Sequence, residues 1–216
     1  MNIKLLFEGD SITNASRNRL DQQANRSELL GCGYANLVAS HLLARSNQVK
    51  IFNRAIAGDK ASDVLARSAD ILTTIKPNWL SLLIGINDIW HTLSSNQRPD
   101  PQAIATTLEQ YLLQLQQHHP ELKIIMIEPF ALLSKEVSEQ WFTFLQPLQQ
   151  LEQQLAEKYR CIWIPTQTAL NLAAASLGTS HILWDGVHPT PAGHSILAKQ
   201  WLEHTQSLQT ELGIIS

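Results

Sequence analysis

The chain carries little charge. Only 16% of its 216 residues are Asp, Glu, Lys or Arg, and the formal net charge is −3. That balance leaves no basic footprint for a nucleic-acid backbone. Cysteine is scarce as well. Cys32 and Cys161 lie far apart and match no metal or redox spacing. They read as buried free thiols, which suits a reducing compartment. No apolar run approaches the ~20 residues that span a bilayer. The opening MNIKLLF begins as a signal peptide does, but Glu8 and Asp10 cut its apolar stretch short. It reads as a first strand that stays in the mature protein, and a cytoplasmic location is the expectation. No internal repeat, low-complexity tract or linker breaks the sequence, so one domain over residues 1–216 is expected.

What is present is a sizeable core and an alternating pattern. Apolar residues make up 44% of the chain, enough to fill one α/β domain of this length. Short runs apolar on both faces occur at 3–8, 49–53, 79–85, 123–129 and 161–165. Such runs suit buried parallel strands. Helical patterns lie between them at 34–46, 61–75, 101–119 and 139–159, with a last helix at about 191–207. The alternation predicts an α/β fold with a parallel sheet and helices on both faces. Residues 14–33 have no clean period and read as a long loop, or a short helix within one, of the kind that often walls a site.

Active sites of open α/β sheets lie beyond the carboxyl ends of the strands. The residues just past each strand therefore matter. GDS comes after the first, NRAIAGD after the second, GINDIW after the third and EPF after the fourth. Past the fifth comes WDGVHPTPAGH. In that last segment Gly186 permits a turn, and Thr190 with Pro191 starts the final helix. Asp185 and His188, three residues apart, share the turn. The carboxylate could hold the proton of one ring nitrogen and leave the other facing outward. Taken alone the same residues also make an ordinary surface turn.

Four motifs in order decide between these readings. GDSIT with Ser11, AIAGD with Gly58, GINDIW with Asn87, and DGVH with Asp185 and His188 run through nearly the whole chain. In this the chain resembles the SGNH hydrolases, also called GDSL-type esterases. The resemblance implies a flavodoxin-like three-layer α/β/α sandwich on a five-stranded parallel sheet. It implies Ser11 as nucleophile, with the backbone N–H groups of Ser11 and Gly58 and the side-chain amide of Asn87 as the oxyanion hole.

The chemistry explains the residue types. A serine hydroxyl is a weak nucleophile and needs a base, here His188, which Asp185 would orient. The tetrahedral intermediate needs donors aimed at its oxyanion. Neither a metal nor an organic cofactor is required. Asp10 and Asp88 are expected to hold loops through hydrogen bonds. His118 and His119 sit at a helix end, His194 lies inside the last helix, and His91 comes just after the Asn87 motif.

GCGY (31–34), NRAIAG (53–58), GINDIW and WDGVHPTPAGH are similar to motifs of the bacterial acetylxylan esterase-like branch. That likeness implies a small-molecule ester substrate, an acetylated xylo-oligosaccharide or related sugar, without nucleic acid or membrane as partner. Trp90 and Trp184 flank the site and could pack on a sugar ring, or simply fill core. Ala55 and the 14–30 segment depart from close relatives, and that segment could line the pocket. Two other readings stand beside this one. They are an acyl hydrolase for longer chains, of lysophospholipase or thioesterase type, and a non-catalytic binding module on the same fold. The oligomeric state is open, a homo-oligomer included.

Overall fold

The chain is seen in a computed structural model that describes residues 2–21 and 23–215. Its strands are β1 (Ile3–Gly9), β2 (Val49–Asn53), β3 (Trp79–Leu83), β4 (Lys123–Ile127) and β5 (Ile162–Ile164). Its helices are α1 (Ser11–Asn14), α2 (Ser27–Leu30), α3 (Tyr34–Leu43), α4 (Ala61–Ala66), α5 (Ser68–Thr74) and α6 (Ile86–Ser94). They continue with α7 (Pro101–His118), α8 (Glu139–Lys158), α9 (Gln167–Leu177), α10 (Thr179–Ile182), α11 (Pro191–His204) and α12 (Gln206–Glu211).

The five strands form one parallel sheet in the order β2-β1-β3-β4-β5. β1 and β3 lie inside and carry near-continuous apolar runs, as strands covered on both faces must. Phe7 of β1 meets Tyr34 of α3 edge-on and Trp201 of α11 at a tilt, with ring centres 5.8 and 5.6 Å apart. That layer covers one face. Helices α4, α5, α7 and α8 pack together on the other. The expected α/β/α sandwich is the fold observed.

The differences from the sequence reading have local causes. The pattern over 61–75 is two helices, because the chain bends at Arg67 between α4 and α5. β3 stops at Leu83, and Gly85, at φ +112°, starts α6, so Asn87 and Asp88 stand on a helix. α9 was not legible because only Leu170 of its eleven residues is buried, so no apolar stripe marks it. Neither cysteine is fully buried: Cys32 is exposed and Cys161 intermediate.

Candidate active site

Ser11 begins α1, the short helix that turns the chain at the end of β1. The cap of that helix is Asp10, whose Oδ1 accepts the N–H of Ile12 at 2.9 Å. Ser11 is therefore not needed as a cap, and its hydroxyl is left for other partners. Burial pushes the Asp10 carboxyl up to about 7, against the Ile12 bond and with the nearby charge of Asp88.

The hydroxyl meets a histidine. Ser11 Oγ lies 2.9 Å from His188 Nε2, and His188 Nδ1 lies 2.6 Å from Asp185 Oδ2. A carboxylate only accepts, so Nδ1 carries the proton and Nε2 is the acceptor facing Ser11. The second oxygen of Asp185, Oδ1, accepts the backbone N–H groups of Val187 and His188 at 2.9 and 2.7 Å. Burial raises the Asp185 carboxyl, but the bonds from the His188 ring and these two backbone groups outweigh it and hold it below its ordinary value.

The turn carrying Asp185 and His188 is pinned from outside. Trp184 N donates to His188 O, and Ser134 Oγ donates to Asp185 O at 2.6 Å. Gly186 sits at φ +91°, and a Cβ there would come within 2.5 Å of Leu132 O and Ser134 Oγ. Only glycine fits the crossing. Thr190 caps α11 through Gly193 N, with Pro191 next, as expected for the start of that helix.

The second strand end supplies Gly58. Its φ of +88° is open to glycine, and it stands exposed at the rim. The turn closes through Asp59 N on Ile56 O, which leaves the N–H of Gly58 outside the turn's own bonds. Asn87 reaches the same turn from α6, its Nδ2 donating to Asp59 O at 3.0 Å. One amide hydrogen of Asn87 is thus spent on orientation, and the other remains. Asp88 accepts Ala61 N at 3.1 Å and so caps α4, the loop-holding role expected of it.

Several structural residues here were not singled out from the sequence. Asn53 donates to Thr13 O and Leu30 O and accepts from Ala55 N. Asn14 and Arg17 both donate to Ala55 O, at 3.0 and 2.8 Å. The segment 14–30, apart from residue 22, which lies outside the described residues, therefore buttresses the Gly58 loop. None of its described side chains lines the cavity beside His188.

That cavity measures about 620 Å³ and is walled by Trp90, Ser134, Leu183 and Trp184 around Asp185 and His188. Trp184 stacks on the His188 ring at 5.5 Å and 16°, and Trp90 approaches it at 5.6 Å. Trp184 is 64% exposed, so it is no core residue. Among the described residues no cluster of side chains is suited to hold a metal ion. His91 is exposed and lies outside the cavity wall.

His194 has a distinct role. It is buried, and its Nδ1 accepts Tyr34 N at the start of α3, at 3.2 Å. Burial lowers its pKa from 6.5 to about 4. The folded protein thus holds it neutral, while the unfolded chain protonates it below about pH 6.5. Its contribution is present above that pH and is lost as pH falls toward 4, about 3 kcal/mol in all. In His194→Gln, the fall in unfolding free energy between pH 7 and pH 4 should shrink by about that amount relative to wild type. Denaturant titration at both pH values measures it. Asp10, which shifts in the opposite sense, is common to both proteins and cancels. An unchanged difference would assign the acid sensitivity elsewhere.

Comparison with known proteins places these elements in a family. The GDSL-like Lipase/Acylhydrolase family profile matches residues 7–196. An acetylxylan esterase from Geobacillus stearothermophilus is 32% identical over 203 residues, which is 92% of each chain. The crystal structure of Axe2, an acetylxylan esterase from the same organism, superposes with a TM-score of 0.81 at 31% identity over 94% of this chain and 93% of that one. Replacing a serine, an aspartate or a histidine of that enzyme by alanine gives what are described as catalytic mutants. A structure from Parabacteroides merdae, described as a GDSL-like lipase, superposes with a TM-score of 0.91 at 30% identity over 95% of this chain and 96% of that one.

Proposed function

Because the chain belongs to the GDSL-like lipase/acylhydrolase family, a family of carboxylic ester hydrolases, we propose that it is a serine esterase removing acetyl groups from carbohydrate esters, with xylo-oligosaccharides the leading substrates. One observation carries the reading: Ser11 Oγ, His188 and Asp185 form a continuous hydrogen-bonded relay at the mouth of a cavity with two tryptophan walls.

His188 Nε2 takes the Ser11 proton as Oγ attacks the ester carbonyl. Negative charge on the carbonyl oxygen is met by the N–H groups of Ser11 and Gly58 and the free amide hydrogen of Asn87. As the intermediate collapses, the C–O bond to the sugar breaks and His188 returns the proton to the leaving alcohol. Water, deprotonated by His188, then attacks the acetyl-serine, and acetate leaves as Ser11 recovers its proton.

The substrate class rests on the cavity. Trp90 and Trp184 offer flat aromatic faces, while Thr179 and Ser180 add hydroxyls on the wall. Aromatic faces take the apolar side of a pyranose, and hydroxyls take its polar edge. The relative's activity as an acetylxylan esterase points the same way. The test is a p-nitrophenyl ester series from acetate to octanoate, with acetate release from acetylated xylo-oligosaccharides measured alongside. The expected result is kcat/KM highest for acetate and rapid release from the sugar. A rate that climbs toward octanoate, with no release from the sugar, would sink the acetyl-sugar reading.

A further inference from the structure

Glu8 is an odd occupant of a strand that is otherwise covered on both faces. Its carboxylate is fully buried, three residues before the nucleophile. Alternate residues of a strand face opposite sides. Phe7 points to α3 and α11, so Glu8 points into the layer of α4 and α7. There Arg67 Nη2 donates to Glu8 Oε1 at 2.5 Å, and the same oxygen accepts Gly9 N at 3.1 Å. The other terminal nitrogen of Arg67, Nη1, donates to Asp59 Oδ2.

One guanidinium therefore joins the end of β1 to the residue directly after Gly58. The side chains are 0%, 17% and 11% exposed for Glu8, Arg67 and Asp59. Burial works against the Arg67 cation, but its two carboxylates outweigh it and hold its pKa above the ordinary value. Arg67 stands at the bend between α4 and α5. Asp59 also presents its backbone carbonyl to Asn87 Nδ2. Two of the three oxyanion donors thus depend on where Asp59 sits.

Stability alone is a poor account of this cluster. Glu8 Oε2 and Arg67 Nε are buried without a protein partner. Apolar residues of similar volume often serve as well as a buried ion cluster, or better.

We propose that Arg67, clamped between Glu8 and Asp59, is a positioning residue that sets Gly58 and Asn87 in register with Ser11. The inference rests on Ser11 being the nucleophile. Its consequence falls on the transition state, because the oxyanion develops only there. Substrate binding in the tryptophan-walled cavity does not use Asp59 and should be spared.

The test compares wild type, Arg67→Lys, Asn87→Ala and the double variant on p-nitrophenyl acetate, with folded fraction read by near-UV circular dichroism. A lysine keeps the charge, but its single ammonium cannot reproduce the planar fork. For Arg67→Lys, kcat per folded enzyme should fall by about 10²-fold, the scale of a 1 Å misplacement. KM should stay within about threefold, since uniform binding is untouched. In the Asn87→Ala background the same substitution should cost markedly less, because one donor it positions is already gone. A kcat within twofold of wild type, or an equal loss in both backgrounds, overturns the proposal. Should Arg67→Lys fail to fold, Asp59→Asn carries the same comparison, with the same outcomes deciding. Ser11→Ala is run beside them. If it keeps wild-type activity, the nucleophile assignment falls first and the inference goes with it. If it is inactive while Arg67→Lys and Asp59→Asn keep full kcat, only the inference falls.

Discussion

Replacing Ser11 by alanine is expected to lower kcat for acetyl esters by about 10⁶-fold, the scale seen when a triad nucleophile is removed. The expectation comes from geometry. Ser11 Oγ is 2.9 Å from a histidine nitrogen whose other side is held by a carboxylate. Among the described residues, Ser11 Oγ is the hydroxyl that meets His188 Nε2. The oxyanion donors survive the change, so a residual rate of about 10³ over water should persist. The fold should survive too, because Asp10 and not Ser11 caps α1. The measurement is the initial rate on p-nitrophenyl acetate near pH 7.5, beside the thermal midpoint of each protein. A fluorophosphonate should label wild type and leave the variant untouched. Equal rates in both proteins would falsify the nucleophile assignment and favour a binding role for the fold.

Asp185→Asn should cost about 10⁴-fold in kcat, as loss of the carboxylate does in a well-studied triad. Here the reason can be traced atom by atom. Oδ1 of Asp185 accepts two backbone N–H groups, from Val187 and His188. In the variant the amide oxygen must stay at that position, since an NH₂ there would face two donors. The amide nitrogen then takes the place of Oδ2, against His188 Nδ1. Nδ1 must become the acceptor, so the proton moves to Nε2. A protonated Nε2 cannot take the Ser11 proton. The turn keeps its backbone bonds, so the thermal midpoint should change far less than the rate. The combination of an intact fold with a lost rate is the signature to look for in paired kcat and melting data. A loss under tenfold would reduce Asp185 to a residue that merely shapes the turn.

Much of this was readable without coordinates. The five strands were legible because buried parallel strands are short runs apolar on both faces. The catalytic candidates were legible because reactive residue types gather at the strand ends and their four motifs, in order, resemble those of the SGNH hydrolases. The structure joins Ser11, His188 and Asp185 by hydrogen bonds and sets Asn87 on the carbonyl of Asp59, next to Gly58. α9 escaped notice because it buries a single residue and so leaves no periodic trace. The roles of Trp90 and Trp184 were open in the sequence, since tryptophan is as much at home in a core as at a rim. Their stacking and approach on His188 is a fact of distance and angle.

The sequence by itself determined the alternation of strands and helices and the identity of the groups able to react. These are local properties, written in periodicity, turn residues and side-chain type. Only the tertiary structure decided which groups lean on which. Glu8 looked like the residue that ended an apolar run, and proved to be a buried anchor for Arg67, 59 positions away. Arg17 looked like part of a polar loop, and proved to hold Ala55 by its carbonyl. His194 looked like one more helical residue, and proved to satisfy the start of α3. Each is a polar group taken from water, and each had to find a partner far along the chain. Which partner it finds depends on how the sheet and its two helical layers close around it, and no local pattern records that.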